Sequence, residues 1–208
     1  MTTPAEAHDA IAAAYDRRAA EYVAIAGTVE QLDPRDRDTI DRWRRATSGA
    51  LLDAGCGPGL WTRFLHDAGH DVSGIDLSAE FVAEARTRHP GLDVTQGSFL
   101  ALPQPAGSLG GVLAWYSLIH TPPTEVPAAL AEFARVLAPG GRLLLGFFDG
   151  EPRAPFDHAI TTAYFWSAEA LTPLLAAAGL EVEGTETRAR VPGEASTRPH
   201  GALIARRV

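Results

Sequence analysis

The sequence predicts an α/β fold in which a mainly parallel sheet is wound with helices on both faces. Three observations carry this expectation. From Ala50 onward short apolar runs alternate with helical stretches, seven such runs occur, and the first leads straight through a glycine-rich turn into a helix.

Taken in order, the breaker-poor stretch Ala5 to Ala26 gathers Ile11, Tyr15, Tyr22 and Ile25 at spacings of four, seven and three, which one side of a helix can hold. Leu32-Asp33-Pro34 reads as a loop and helix start, and the charged run Arg35 to Arg45 with Ile40 and Trp43 continues it. Strands are predicted at Ala50–Ala54, Asp71–Ile75, Leu92–Gln96, Gly111–Trp115, Arg142–Phe148, Leu180–Gly184 and Ala202–Arg206. Helices fall between them at Leu60–Ala68, Ala79–His89, Thr124–Leu137 and Ala168–Ala178, with Pro139-Gly140-Gly141 as the stop after the third. Asp149 to Trp166 interrupts the pattern and is expected to be a substrate loop, while Arg188 to His200 is expected to be the loop before the last strand. One domain over 1–208 follows, with 1–47 as a helical lid and 48–208 as the binding core.

Composition narrows the chemistry. The chain has 208 residues, 46% hydrophobic and 21% charged, with a formal net charge of -8, so a large phosphate-binding surface is disfavoured and a small-molecule partner is expected, with no nucleic acid. All 18 basic residues are Arg, which excludes lysine-dependent mechanisms such as a pyridoxal Schiff base or a P-loop phosphate clamp. Cys56 is the only cysteine, so neither an intrachain disulfide nor a cysteine-rich zinc site can be built. Met1 to Ala14 lacks a basic start and a long apolar run, so neither a signal peptide nor a membrane span is expected, and the cytoplasm is the expected location.

The chemistry concentrates at Leu51-Leu52-Asp53-Ala54-Gly55-Cys56-Gly57-Pro58-Gly59, where glycines permit close backbone approach to a ligand and Asp53 offers an acceptor to an ammonium or hydroxyl group. Counting from Gly55, the dinucleotide pattern G-x-G-x-x-G requires glycine where Leu60 stands, which weakens a nicotinamide reading. Asp76 ends the second strand 23 residues beyond Asp53, close to the spacing at which an acid accepts both ribose hydroxyls.

These two features resemble the class I S-adenosylmethionine-dependent methyltransferases, whose first motif is similar to D-x-G-C-G-x-G. The resemblance runs on through Gln96-Gly97-Ser98-Phe99, Leu113 to His120 and Phe133 to Leu143, covering about residues 50 to 148, and is to bacterial small-molecule members. It implies a Rossmann-like sheet of order 3-2-1-4-5-7-6 with the seventh strand antiparallel. It implies S-adenosylmethionine as cofactor and S-adenosylhomocysteine as product. By the same resemblance Asp53 faces the methionine ammonium, Ala54, Gly55, Cys56 and Gly57 line the methionine moiety, Asp76 holds the ribose, and Leu77 and Phe99 sandwich adenine. Ser98 stands where family members often carry an acid, which moves the adenine amino contact to a hydroxyl or backbone group. Tyr15 and Tyr22 resemble aromatic lid residues, the alternative being core packing. Trp115 and Tyr116 are expected on the cofactor wall or acceptor pocket, or in the core.

Methyl transfer needs a positioned acceptor and, for oxygen or nitrogen, a base. His120 follows the fourth strand at the sheet's carboxyl edge and is the candidate base, with packing as its bland alternative. Arg153, His158 and His200 are weaker candidates for acceptor contact. No acid stands between Gly110 and His120 to begin a metal site like that of catechol O-methyltransferases, so no metal is expected. The expected activity is methyl transfer to an oxygen or nitrogen of a small metabolite. The alternatives are a non-catalytic domain binding the cofactor or its product, and a cyclisation or rearrangement assisted by the sulfonium without methyl transfer.

Overall fold

A seven-stranded sheet forms the middle layer of the computed structural model, which describes residues 4–26, 28–189 and 198–208. Its strands are β1 (Leu51–Ala54), β2 (Val72–Asp76), β3 (Asp93–Gln96), β4 (Leu109–Trp115), β5 (Leu137–Phe148), β8 (Leu180–Arg188) and β9 (His200–Arg207), and β6 (Pro155–Asp157) and β7 (Thr162–Tyr164) form a separate hairpin. The helices are α1 (Pro4–Ala26), α2 (Pro34–Arg45), α3 (Leu60–Asp67), α4 (Ala79–Arg88), α5 (Val126–Val136) and α6 (Ala168–Ala177), with a 3-10 turn at Val29–Gln31.

The sheet order is β3-β2-β1-β4-β5-β9-β8, with β1 to β5 parallel and β9 antiparallel to both neighbours. Counted within the sheet this is the order 3-2-1-4-5-7-6 that the resemblance implies. Alternation along the central strands sends their side chains to opposite layers. Leu51, Leu113 and Leu144 pack with Ile40 and Trp43 of α2 and Trp61 and Leu65 of α3, whereas Leu52, Val112, Leu143 and Leu145 pack with Phe133 of α5 and Leu171 and Leu175 of α6. Ile40 and Trp43 are fully buried, so α2 is a layer of the core. Asp33 caps α2 by accepting from the Arg35 N–H at 2.9 Å, and Pro34 opens its first turn.

Three boundaries differ from the sequence expectation. Helix α5 ends at Val136, and Leu137 already pairs with Leu109 before the ladder resumes at Gly111 and Arg142. The extra residues bulge through Gly140, whose φ of +80° a side chain would resist, so the proline-glycine run interrupts a strand after the helix has ended. Strand β8 runs on to Arg188, and the segment predicted as loop after it lies largely outside the described residues, with His200 opening β9. The predicted substrate loop contains the β6–β7 hairpin, fastened to the chain after β4 by the Tyr164 N–H donating to the Ile119 carbonyl at 2.8 Å. Among the described residues no helix is long and apolar enough to cross a membrane.

This topology gathers chemistry at one edge. Parallel strands bring the carboxyl ends of β1, β2 and β4 together, the usual ligand edge of an open α/β sheet. Because β9 is antiparallel, its first residue, His200, pairs with Phe148 at the end of β5 and reaches the same edge.

Candidate active site

A cavity of about 260 Å³ lies at this edge beneath α1. The glycine loop forms one wall. Gly55 has a φ of +83°, and a Cβ there would stand 2.3 Å from the Ser117 Cβ, so the loop and the segment after β4 close together only with glycine. Asp76 ties this wall to β2: one carboxylate oxygen accepts from the Gly57 N–H at 2.8 Å, the other from the Ser78 N–H at 2.9 Å. Burial raises Asp76 to about 6 despite those two bonds.

Helix α1 closes the cavity through three anchoring side chains. Asp16 accepts from the Ser78 hydroxyl at 2.5 Å and from the Glu80 N–H at 3.2 Å, seating α1 on the start of α4. His8 meets Glu125 at 3.1 Å, ahead of α5, and Arg18 donates to the Ala159 carbonyl between β6 and β7. Tyr15 and Tyr22 then lie 5.5 and 5.2 Å from Phe81, ring centre to ring centre.

The opposite end holds three imidazoles. His120 Nδ1 lies 2.8 Å from the Thr162 carbonyl. A carbonyl only accepts, so Nδ1 carries the proton and Nε2 keeps its lone pair in the neutral ring. That Nε2 is buried and has no partner among the described residues, with Tyr15 edge-on at 5.5 Å and His158 at 5.0 Å. Burial lowers the His120 pKa, with the Thr162 bond opposing, and lowers His158 to about 4. His200 is also lowered by burial to about 4, and its Nδ1 is bonded to the Tyr116 hydroxyl. Tyr116 has a φ of +56°, a left-handed conformation uncommon for an aromatic residue at the end of a strand.

The structure brings together Tyr15, Tyr22, Gly55, Gly57, Asp76, Leu77, Phe99, Trp115, Tyr116 and His120 around the cavity, with His158 and His200. Five predicted residues are not on its wall. Asp53, which is 2% exposed, turns to α3, where one of its carboxylate oxygens accepts from the Thr62 hydroxyl at 2.7 Å; burial raises it to about 7. Ala54 is buried in the β1 ladder, and the Cys56 side chain packs with Val82, Ala85 and Val94. The Ser98 hydroxyl is turned to its own backbone and accepts from the Leu100 N–H at 3.1 Å. Arg153 is likewise off the wall, its guanidinium 5.9 Å from the Trp166 ring.

The sequence reading missed His8, Ile11, Ser117 and Phe148, which also line the cavity. The sequence reading puts Ile11 on the face that carries the tyrosines but gives it no site role, and His8, seven residues before Tyr15, extends that face. The Ser117 hydroxyl is buried without a partner among the described residues, beside the glycine loop.

This cavity fits S-adenosylmethionine on its own chemistry. Orphaned polar atoms at Ser117 and His120 await a ligand, the Gly55 wall admits no side chain, and an acid stands at the end of β2. Among the described residues no cluster of His, Cys, Asp or Glu has the arrangement of a metal site.

Comparisons with known proteins agree with this geometry. A family profile described as a methyltransferase domain matches residues 51–141. The chain is 38% identical over 144 residues to a demethylmenaquinone methyltransferase of Beutenbergia cavernae, covering 65% of this chain and 58% of that one. It is 30% identical over 168 residues to the demethylmenaquinone methyltransferase of Renibacterium salmoninarum, covering 77% and 67%. The chain spans little more than half the length of most curated relatives it matches. Its fold is similar to that of the Burkholderia thailandensis 1,6-didemethyltoxoflavin-N1-methyltransferase, solved with its namesake substrate and S-adenosylhomocysteine, at a TM-score of 0.78 and 21% identity over 100% of this chain and 92% of that one.

Proposed function

The chain belongs to the class I S-adenosylmethionine-dependent methyltransferases, and from that premise we propose that it methylates an oxygen or nitrogen of a small metabolite, with His120 as the base. The observation that carries this reading is the His120 imidazole, held by Thr162 with its basic Nε2 buried and unpartnered beside the glycine-loop cavity.

When bound, the sulfonium supplies an electrophilic methyl carbon for in-line displacement, the C–S bonding pair leaving on sulfur as the acceptor's lone pair forms the new bond. The residues of this chain do the positioning. Asp76 would take the ribose hydroxyls with the lone pairs its two backbone bonds leave free, Leu77 and Phe99 would flank the adenine, and Gly55 and Gly57 would admit the methionine portion. Asp53 acts from beneath the loop, as a negative charge that a cation in the cavity would favour. Tyr15 stands edge-on to the His120 ring at 5.5 Å, so α1 borders the base. The acceptor's proton then passes to Nε2, and the Thr162 carbonyl steadies the imidazolium through Nδ1–H. The net charge of -8 and the aromatic cavity support a small acceptor over a nucleic acid.

The test is calorimetric titration with S-adenosylmethionine, S-adenosylhomocysteine and NAD, followed by product analysis with candidate acceptors. Micromolar binding of the first two and none of NAD, with S-adenosylhomocysteine formed on turnover, is expected. Binding without turnover on any acceptor would favour a sensor, and turnover without S-adenosylhomocysteine a cyclisation.

A further inference from the structure

Helix α1 and the acid at the end of β2 are tied to the same turn of the chain. Directly after Asp76, Ser78 caps α4: its hydroxyl accepts from the Phe81 N–H at 3.1 Å, and its own N–H donates to Asp76 at 2.9 Å. Ser78 is fully buried, and its hydroxyl donates to one carboxylate oxygen of Asp16 at 2.5 Å. That same oxygen accepts from the Glu80 N–H at 3.2 Å. A carboxylate of α1 thus sits on the first turn of α4, where N–H groups without helical partners and the helix dipole favour a negative charge. Tyr15 and Tyr22 of α1 pack on Phe81 in that turn. The remaining anchors of α1, from His8 to Glu125 and from Arg18 to Ala159, run to parts of the chain far from β2.

Neither Asp16 nor Ser78 lines the cavity, whereas Tyr15, Tyr22 and Asp76 do. Asp16 can therefore influence a bound molecule only through its neighbours. Resting on the cofactor reading of this cavity, we propose that Asp16 is a positioning residue for the cofactor: through Ser78 it joins α1 and Asp76 into one unit, and the cofactor leaves when the Asp16–Ser78 bond breaks and α1 lifts. The sign of the electrostatics separates this role from a simple charge effect. Burial raises Asp76, and the charge of Asp16 adds to that rise, so removing the charge favours ionised Asp76. A cofactor held less well after loss of Asp16 has lost an anchor, not an attractive charge.

The test reads association and dissociation rates of S-adenosylhomocysteine by surface plasmon resonance on the immobilised full chain. Asp16→Ala is expected to release the ligand at least about tenfold faster than wild type, with an association rate no lower. Asp16→Asn keeps an acceptor oxygen for Ser78 and Glu80 and should stay within about threefold of wild type. Ser78→Asp keeps a cap on α4 but presents Asp16 with a carboxylate in place of a donor, so it should release the ligand as fast as Asp16→Ala, and it decides the matter alone if Asp16→Ala does not fold. Trypsin supplies a second readout, because Arg17 and Arg18 are exposed beside Asp16. S-adenosylhomocysteine should protect both from cleavage in wild type and fail to protect them in Asp16→Ala. Unchanged release from either disrupting variant, equally fast release from Asp16→Asn and Asp16→Ala, or equal protection of wild type and Asp16→Ala overturns the inference and leaves the cofactor reading standing. Failure of wild-type protein to bind S-adenosylhomocysteine overturns that reading, and this inference with it.

Discussion

At one end of the cavity region Asp53 and Asp76, at the ends of β1 and β2, are raised by burial to about 7 and about 6; at the other end burial lowers His120, and takes His158 and His200 to about 4. The same physical cause works in opposite directions on acids and bases, because removing water penalises whichever form is charged. Burial thus disfavours charge at both ends, yet they respond to different partners. A cation entering the cavity favours ionised carboxylates and recharges the first end. The second end keeps the unpartnered lone pair of His120 Nε2, so it is suited to accept a proton at the moment of reaction.

The sharpest way to break that division is to remove the lone pair. His120→Asn is expected to lower the maximal methylation rate by about 10²- to 10⁴-fold, the range a general base supplies. Its dissociation constant for S-adenosylmethionine should stay within about twofold, since His120 belongs to the other end. Equal losses in steady-state rate and calorimetric affinity would reduce His120 to packing. Asp76→Ala should do the reverse. It removes the ribose acceptor and strands the Gly57 and Ser78 N–H groups, weakening cofactor binding by on the order of 1.5–3 kcal/mol, about 10- to 150-fold. An unchanged dissociation constant would take Asp76 out of the site.

The two ends also differ in how far the sequence disclosed them. The carboxylate end is local: Gly55 and Gly57 follow β1 directly, Asp76 ends β2, and parallel pairing of adjacent strands brings them together. Both covering layers were legible because apolar periodicity records burial, whereas the strand order came from the family resemblance. What periodicity does not record is where a side chain finds its hydrogen bond. Asp53 stands near the end of β1 as the sequence predicts, but nothing in the pattern announced that Thr62, nine residues on, would face it from α3 and donate to one of its carboxylate oxygens. The histidine end is assembled from distant pieces. His120 depends on Thr162 in a hairpin whose strands are only three residues each, and His200 arrives by way of an antiparallel strand. Short strands and long-range pairing leave little local pattern, which is why Asp149 to Trp166 read as a loop.

Titration sharpens the comparison further. Affinity for S-adenosylmethionine should rise as pH increases from 5 to 8, because the cation binds the ionised carboxylates and their titration in the free protein falls near 6 and 7. The expected gain is roughly tenfold, with proton release on binding below pH 7, read by calorimetry in buffers of different ionisation enthalpy. The neutral histidines add no such dependence above pH 6.5. A flat affinity profile would mean that no cation senses these acids.

The smallest effect should be on the stability of the ligand-free protein, where the two ends oppose each other. A carboxyl group raised above its unfolded value of 3.8 contributes stability that is present at low pH and lost as pH rises through about 6 to 7. An imidazole lowered from 6.5 to about 4 contributes stability that is present above 6.5 and lost as pH falls through that window. Between pH 6.5 and 4 acidification therefore strengthens one end while weakening the other, and the melting temperature should drift by no more than about 2–4 °C. Asp53→Asn tilts the balance. It removes the acid whose protonation offsets the histidines, so thermal melts of the variant should fall more steeply on acidification than those of wild type. Parallel melting profiles for the two proteins would show that Asp53 does not titrate in this range, and would leave Asp76 as the only carboxylate at that end with a raised pKa.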